Sequence, residues 1–163
     1  DTSAFVILPS TRYVGIGTTA PTQKLEVNGN VVISGASCIM LTAREQISGG
    51  CIVRASRANI LSAVRTGITD GTEGRDMPIG VALADTISGA LCTIAYSGIA
   101  KVYNYGTATT GDFVQCSDTL SGAGIFSANP PIPADANHWR EIGYCLESSS
   151  VSGAGVFCIL HFN

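Results

Sequence analysis

Val14-Gly15-Ile16-Gly17-Thr18-Thr19-Ala20-Pro21-Thr22-Gln23-Lys24-Leu25-Glu26-Val27-Asn28-Gly29-Asn30-Val31 decides the reading of this chain. Val14 and Ile16 point one way, and Gly15 and Gly17 leave the other face bare. Leu25 and Val27 resume the alternation after a turn at Ala20-Pro21. A period of two is the mark of a half-buried strand. The apolar side chains are too few to cover one another within one chain. Burial against further copies of the same chain is the solution they imply, with Val14, Ile16, Leu25, Val27, Val31 and Ile33 as the interface side chains. Asn28-Gly29 favours a tight turn. Lys24–Val27 and Asn30–Ile33 then form either a small hairpin or two consecutive short strands.

The rest of the chain is weakly charged. Charged residues make up 13% and hydrophobic residues 45%, with 19 glycines and only Lys24 and Lys101 as lysines. Such a composition lies far from the disordered class and favours strands and turns over helices. The formal net charge is −3, without a basic run, so the electrostatic footprint of a nucleic-acid binder is missing. The uncharged stretch from Thr86 to Ala100 is broken by Gly89 and Gly98 and alternates in polarity. It reads as strands and predicts no membrane insertion. The amino end lacks the basic-then-apolar pattern of a signal peptide. A start at Asp1 without Met implies a processed end or part of a longer protein.

Turn residues punctuate the remainder at strand-length intervals. Residues 1–13 form an arm around the apolar run Ala4 to Leu8. Strands are predicted at Cys38–Ala43, Cys51–Ala55, Pro78–Leu83, Ala90–Tyr96, Ile99–Tyr105, Phe113–Cys116, Arg140–Glu147 and Gly155–Phe162. Ser97-Gly98 is the predicted turn between two of them. Asn59–Val64 fits either a strand or one helical face. Pro130, Pro131 and Pro133 keep their segment out of a central sheet. Turn signals at about 8–12-residue spacing describe an all-β sandwich or barrel. The predicted architecture is a short N-terminal intertwined β-segment over residues 1–35, followed by a small β-barrel or β-sandwich over residues 36–163.

The pattern Val14-Gly15-Ile16-Gly17-Thr18-x-x-Pro21-x-x-Lys24-Leu25-x-Val27-x-Gly29 resembles the motif of trimeric bacteriophage virion proteins of the tail-fibre and capsid-decoration type. Looser likenesses to their small β-domains lie in Pro78–Leu83, Tyr96–Val102, Gly111–Ser117 and Ile142–Glu147. This resemblance implies a homotrimer on the surface of a phage particle, assembled in the host cytoplasm, with the major capsid protein or other virion proteins as partners. Fibres of this kind often end in a large self-cleaving chaperone domain, for which nothing here is big enough. That departure favours a compact decoration (cement) protein that stabilises the head. The alternative is a tail-fibre or receptor-binding fragment that recognises a host surface glycan through exposed aromatic side chains, with Trp139, Tyr103 and Tyr105 as the candidates.

Chemistry-bearing residues are sparse. His138 and His161 are the histidines, and neither adjoins a candidate nucleophile, so no catalytic residue is assigned. Trp139 next to His138 reads as a packing or boundary residue, and His161 as an outward residue of an edge strand. Asp70, Glu73 and Asp76 share a polar loop but miss calcium-loop spacing. Gly15-x-Gly17 lacks the third glycine of a dinucleotide loop. A glycan-cleaving enzyme needs paired carboxylates, and none can be paired. No cofactor or metal is expected. The six cysteines, Cys38, Cys51, Cys92, Cys116, Cys145 and Cys158, show no C-x-x-C spacing. Most read as small buried hydrophobes. Their even number also permits disulfides that would lock a particle outside the cell.

Overall fold

The computed structural model describes residues 5–10, 12–28, 35–56, 61–65, 77–130 and 141–161. The chain divides into two compact units, Asp1–Ile33 and Ser34–Asn163.

The first unit is a three-stranded sheet in the order β1 (Val6–Leu8), β2 (Tyr13–Ile16), β3 (Leu25–Val27). β1 and β2 run antiparallel, and β2 and β3 run parallel. The glycines of the motif have separate tasks. Gly15 is buried, and a Cβ there would press on the Thr18 carbonyl oxygen and on Pro21. Gly17 has φ +72, a left-handed conformation that costs other residues about 1–2 kcal/mol. It turns the chain out of β2 toward Pro21, and Asn28 closes the unit by donating its N–H to the Ile16 carbonyl. The predicted partner strand Asn30–Ile33 lies outside the described residues.

The second unit is all-β among the described residues. Its strands are β4 (Ala36–Ala43), β5 (Ile52–Ala55), β6 (Ser62–Arg65), β7 (Pro78–Ala82), β8 (Leu91–Tyr103), β9 (Phe113–Cys116), β10 (Gly124–Ser127), β11 (Glu141–Cys145) and β12 (Gly155–Leu160). They lie in the order β10-β9-β11-β12-β8-β4-β6-β5-β7, and β7 pairs back onto β8. That last pairing closes β8, β4, β6, β5 and β7 into a five-stranded barrel. The ambiguous Asn59–Val64 stretch supplies β6, a strand, although residues 57–60 lie outside the described ones. No described helix is long and apolar enough to cross a membrane.

The remaining strands repeat the same wiring. β4 pairs antiparallel with β8 and parallel with β6; β5 pairs with β6 and β7; β7 pairs with β8. Moving one repeat along, β8 pairs antiparallel with β12, and Asn104 just after it forms a parallel bridge with Gly124 of β10; β9 pairs with β10 and β11; β11 pairs with β12. The loops match bond for bond. Ile47 bridges Thr86 as Ala108 bridges Ser149. Gly50 N–H donates to Ala82 O as Gly111 N–H donates to Cys145 O, and Leu83 N–H to Thr93 O as Leu146 N–H to Phe157 O. The unit is therefore an internal duplication in which β8 ends one lobe and begins the next. The two lobes enclose two buried clusters. One is built on Ile47, Val53, Cys92 and Ile94. The other joins Ile52 and Val81 of the first lobe to Val102, Val114, Ile142, Val156 and Leu160.

Two strand readings need correction. Ser97-Gly98 does not separate two strands, because β8 runs unbroken through it for 13 residues. Gly98 takes φ +92, and a Cβ there would collide with the Gly35 carbonyl oxygen and Ala36. The glycine marks a close backbone approach opposite the bulge at Ser37 and Cys38, as glycines inside strands often do. β12 is also not an edge strand, because it lies between β11 and β8.

Candidate functional site

In the first unit the register decides which side chains share a face. Ile7 stands opposite Val14, Val14 opposite Leu25, and Ile16 opposite Val27. Residues directly across a ladder project from the same face. Ile7, Val14, Ile16, Leu25 and Val27 therefore form one apolar face, on which Ile7 is 58%, Ile16 41% and Leu25 62% exposed. The opposite face carries Gly15, opposite Glu26 and covered by Pro21. The Glu26 carboxylate accepts the backbone N–H of Thr22 at 2.7 Å and its hydroxyl at 2.9 Å. These bonds hold its pKa below the ordinary glutamate value. Of the six interface residues expected from sequence, Val14, Ile16, Leu25 and Val27 share this face. Val31 and Ile33 lie outside the described residues.

The second unit carries another apolar surface. Ile99, Ile159, Tyr144 and Phe113 stand opposite one another in turn across β8, β12, β11 and β9. Ile99 and Ile159 are nearly half exposed. The tilted rings of Phe113 and Tyr144 lie 4.8 Å apart and those of Tyr144 and His161 4.9 Å apart, and Lys101 caps the Phe157 ring at 4.8 Å.

Beside this row His161 faces a shallow cleft with Ile79, Tyr96 and Ser97. Its Nε2 lies 3.4 Å from Oε1 of Glu141, whose side chain is 8% exposed. Nε2 forms no hydrogen bond among the described residues, and Ser97, which carries a hydroxyl, lines the same cleft. Among the described residues no three His, Cys, Asp or Glu side chains gather as metal ligands would.

The aromatic residues expected to contact a ligand do not form a described cluster. Tyr103 is half-buried at the end of β8, donating its N–H to Gly50 O, with its hydroxyl packed near Gly153. Tyr105 is 39% exposed. Trp139 and the acidic loop of Asp70, Glu73 and Asp76 lie outside the described residues. Asp112 behaves as a turn residue, its carboxylate accepting the Thr109 N–H at 2.9 Å. Five cysteines are buried, Cys38 is exposed, and all six are free thiols.

The fold has a counterpart among solved structures. It is similar to the N base of head fiber gp8.5 of bacteriophage phi29, with a TM-score of 0.52 and 15% identity over 77% of this chain and 93% of that one. No family model and no curated protein matches the chain.

Proposed function

We propose that this chain is a non-enzymatic structural protein of a phage particle, mounted as a homotrimer on the head as a decoration (cement) protein. The observation that carries the reading is the likeness of its fold to the base of a phage head fiber, spanning 93% of that structure. The motif of residues 14–29 supports it independently, because Val14, Ile16, Leu25 and Val27 form one apolar face in the register described above. Two exposed apolar surfaces on one small protein suit a subunit held by neighbours, since monomers rarely expose large contiguous patches. In this reading the first-unit face packs around a three-fold axis, and the second unit is the knob. At roughly 25 cal/mol per Å² of apolar area, modest contacts per subunit add up over a trimer and over many copies on a head.

The test is to locate the chain on purified particles by electron microscopy, with labelled antibody or density fitting. Density on the head at local three-fold positions is the expected result. Density confined to the tail overturns the cement reading and favours the glycan-recognising fibre instead.

A further inference from the structure

One difference between the duplicated lobes concerns sulfur. In the first lobe Ala82 faces Ile94 across β7 and β8. The matching positions of the second lobe hold Cys145 and Cys158, which face each other across β11 and β12. The other strand cysteines have different residues across the ladder: Cys38 stands opposite Ala95, Cys92 opposite Leu41 and Cys116 opposite Gly124. Since alanine and isoleucine fill the equivalent place, core packing alone does not require two sulfurs there.

The ladder sets the geometry of the pair. Leu146 N–H donates to Phe157 O and His161 N–H to Ile142 O. These bonds mark the hydrogen-bonded pairs of the β11–β12 ladder and leave Cys145 and Cys158 as a non-hydrogen-bonded pair. Cα atoms of such pairs lie about 4.5 Å apart, with their side chains close together. That falls inside the range of about 4.4–6.8 Å that a disulfide spans. Both thiols are buried. Cys145 Sγ donates to Glu147 O at 2.8 Å, and Cys158 Sγ donates to Val156 O at 3.4 Å.

We propose that Cys145 and Cys158 are a redox pair that forms a cross-strand disulfide when the chain passes from a reducing to an oxidising compartment. The oxidant is a low-molecular-weight disulfide. One cysteine loses its proton and attacks the oxidant, giving a mixed disulfide and one released thiolate. The second cysteine loses its proton, attacks the mixed disulfide, forms the Cys145–Cys158 bond and expels the second thiolate. The two protons end on the two released thiols. Two cysteines are oxidised, and one small disulfide is reduced. Burial pushes both cysteine thiols above their ordinary range, so exchange is slow while β11 and β12 are paired and proceeds when the hairpin opens. The change of compartment rests on the virion reading: assembly in a host cytoplasm, then release.

The test begins with the full chain purified under reduction and incubated with glutathione disulfide. It is then unfolded, alkylated and mapped by peptide mass. The expected product lacks the mass of two hydrogens, joins the peptides of Cys145 and Cys158, and unfolds several degrees higher until dithiothreitol reverses the shift. The double variant Cys145→Ala/Cys158→Ile, which restores the first lobe's pair, should fold and show no such shift. Full alkylation of Cys145 and Cys158 after oxidation, or linkage to other cysteines, overturns the pairing. A second arm alkylates infected cells and released particles separately. All six cysteines should be alkylated inside cells and four of them in particles. Particles that carry the chain fully reduced overturn the redox change and leave the virion placement standing. Particles without the chain overturn that placement, and the purified chain alone then decides the pairing.

Discussion

At the residue scale, Gly98 and Glu26 each make a measurable statement. Gly98 sits inside a strand at φ +92, where a Cβ would also strike the Gly35 carbonyl. Gly98→Ala adds left-handed strain of about 1–2 kcal/mol to a clash that only backbone movement relieves. The expected loss is about 2–4 kcal/mol, read as a lower denaturant midpoint; an unchanged midpoint would mean that β8 bends there for another reason. Glu26 makes a pH statement. Its folded pKa is depressed by the Thr22 backbone and hydroxyl bonds. The carboxylate therefore helps the first unit above the unfolded pKa, and that help disappears as pH falls through the folded value. Carboxyl chemical shifts should place the Glu26 midpoint below 4.5, and Thr22→Ala should move it upward. An equal midpoint in both proteins would count against the two bonds.

At the element scale, β8 is the strand on which both lobes depend. It pairs with β4 and β7 on one side of the duplication and with β12 on the other. Amides open last where burial and pairing are densest. Hydrogen exchange should therefore be slowest at buried β8 positions such as Ile94 and Val102, and faster in β10, which ends its sheet. Slower exchange in β10 than in β8 would contradict the shared-strand picture. The strands were largely legible because alternation and glycine turns are local signals. Cys38–Ala43 became β4, Phe113–Cys116 became β9 and Gly155–Phe162 contains β12. β10 went unrecognised because Gly124-Ile125-Phe126-Ser127 is short and follows a turn-rich stretch. The duplication was also hidden. Its equivalent positions share hydrogen bonds but only some side chains: Gly50 and Leu83 match Gly111 and Leu146, whereas Ala82 matches Cys145. Gly98 misled because a glycine serving a close contact looks in sequence like one serving a turn.

At the scale of the whole molecule, the remaining question is what the first unit's face is for. Alternation alone puts Val14 with Ile16 and Leu25 with Val27, since period two fixes a face within one strand. The parallel pairing of β2 and β3 was not legible, because partner choice depends on the chain between them. Replacing Ile16 and Leu25 together by Asp tests the face directly. Both side chains are substantially exposed within one chain, so the change costs a lone subunit little. In the proposed trimer it would bury carboxylates of like charge, at several kcal/mol for each desolvated ion. Native mass spectrometry should therefore find the unaltered chain at three times 16.8 kDa and the double variant at 16.8 kDa. The β-rich circular dichroism should be unchanged, because both substitutions lie outside Ser34–Asn163. Leu61→Asp, a change at an exposed side chain of the second unit, should leave the assembly intact. A single-chain mass for the unaltered protein at high concentration, or a trimer that survives both aspartates, would remove this face from the interface.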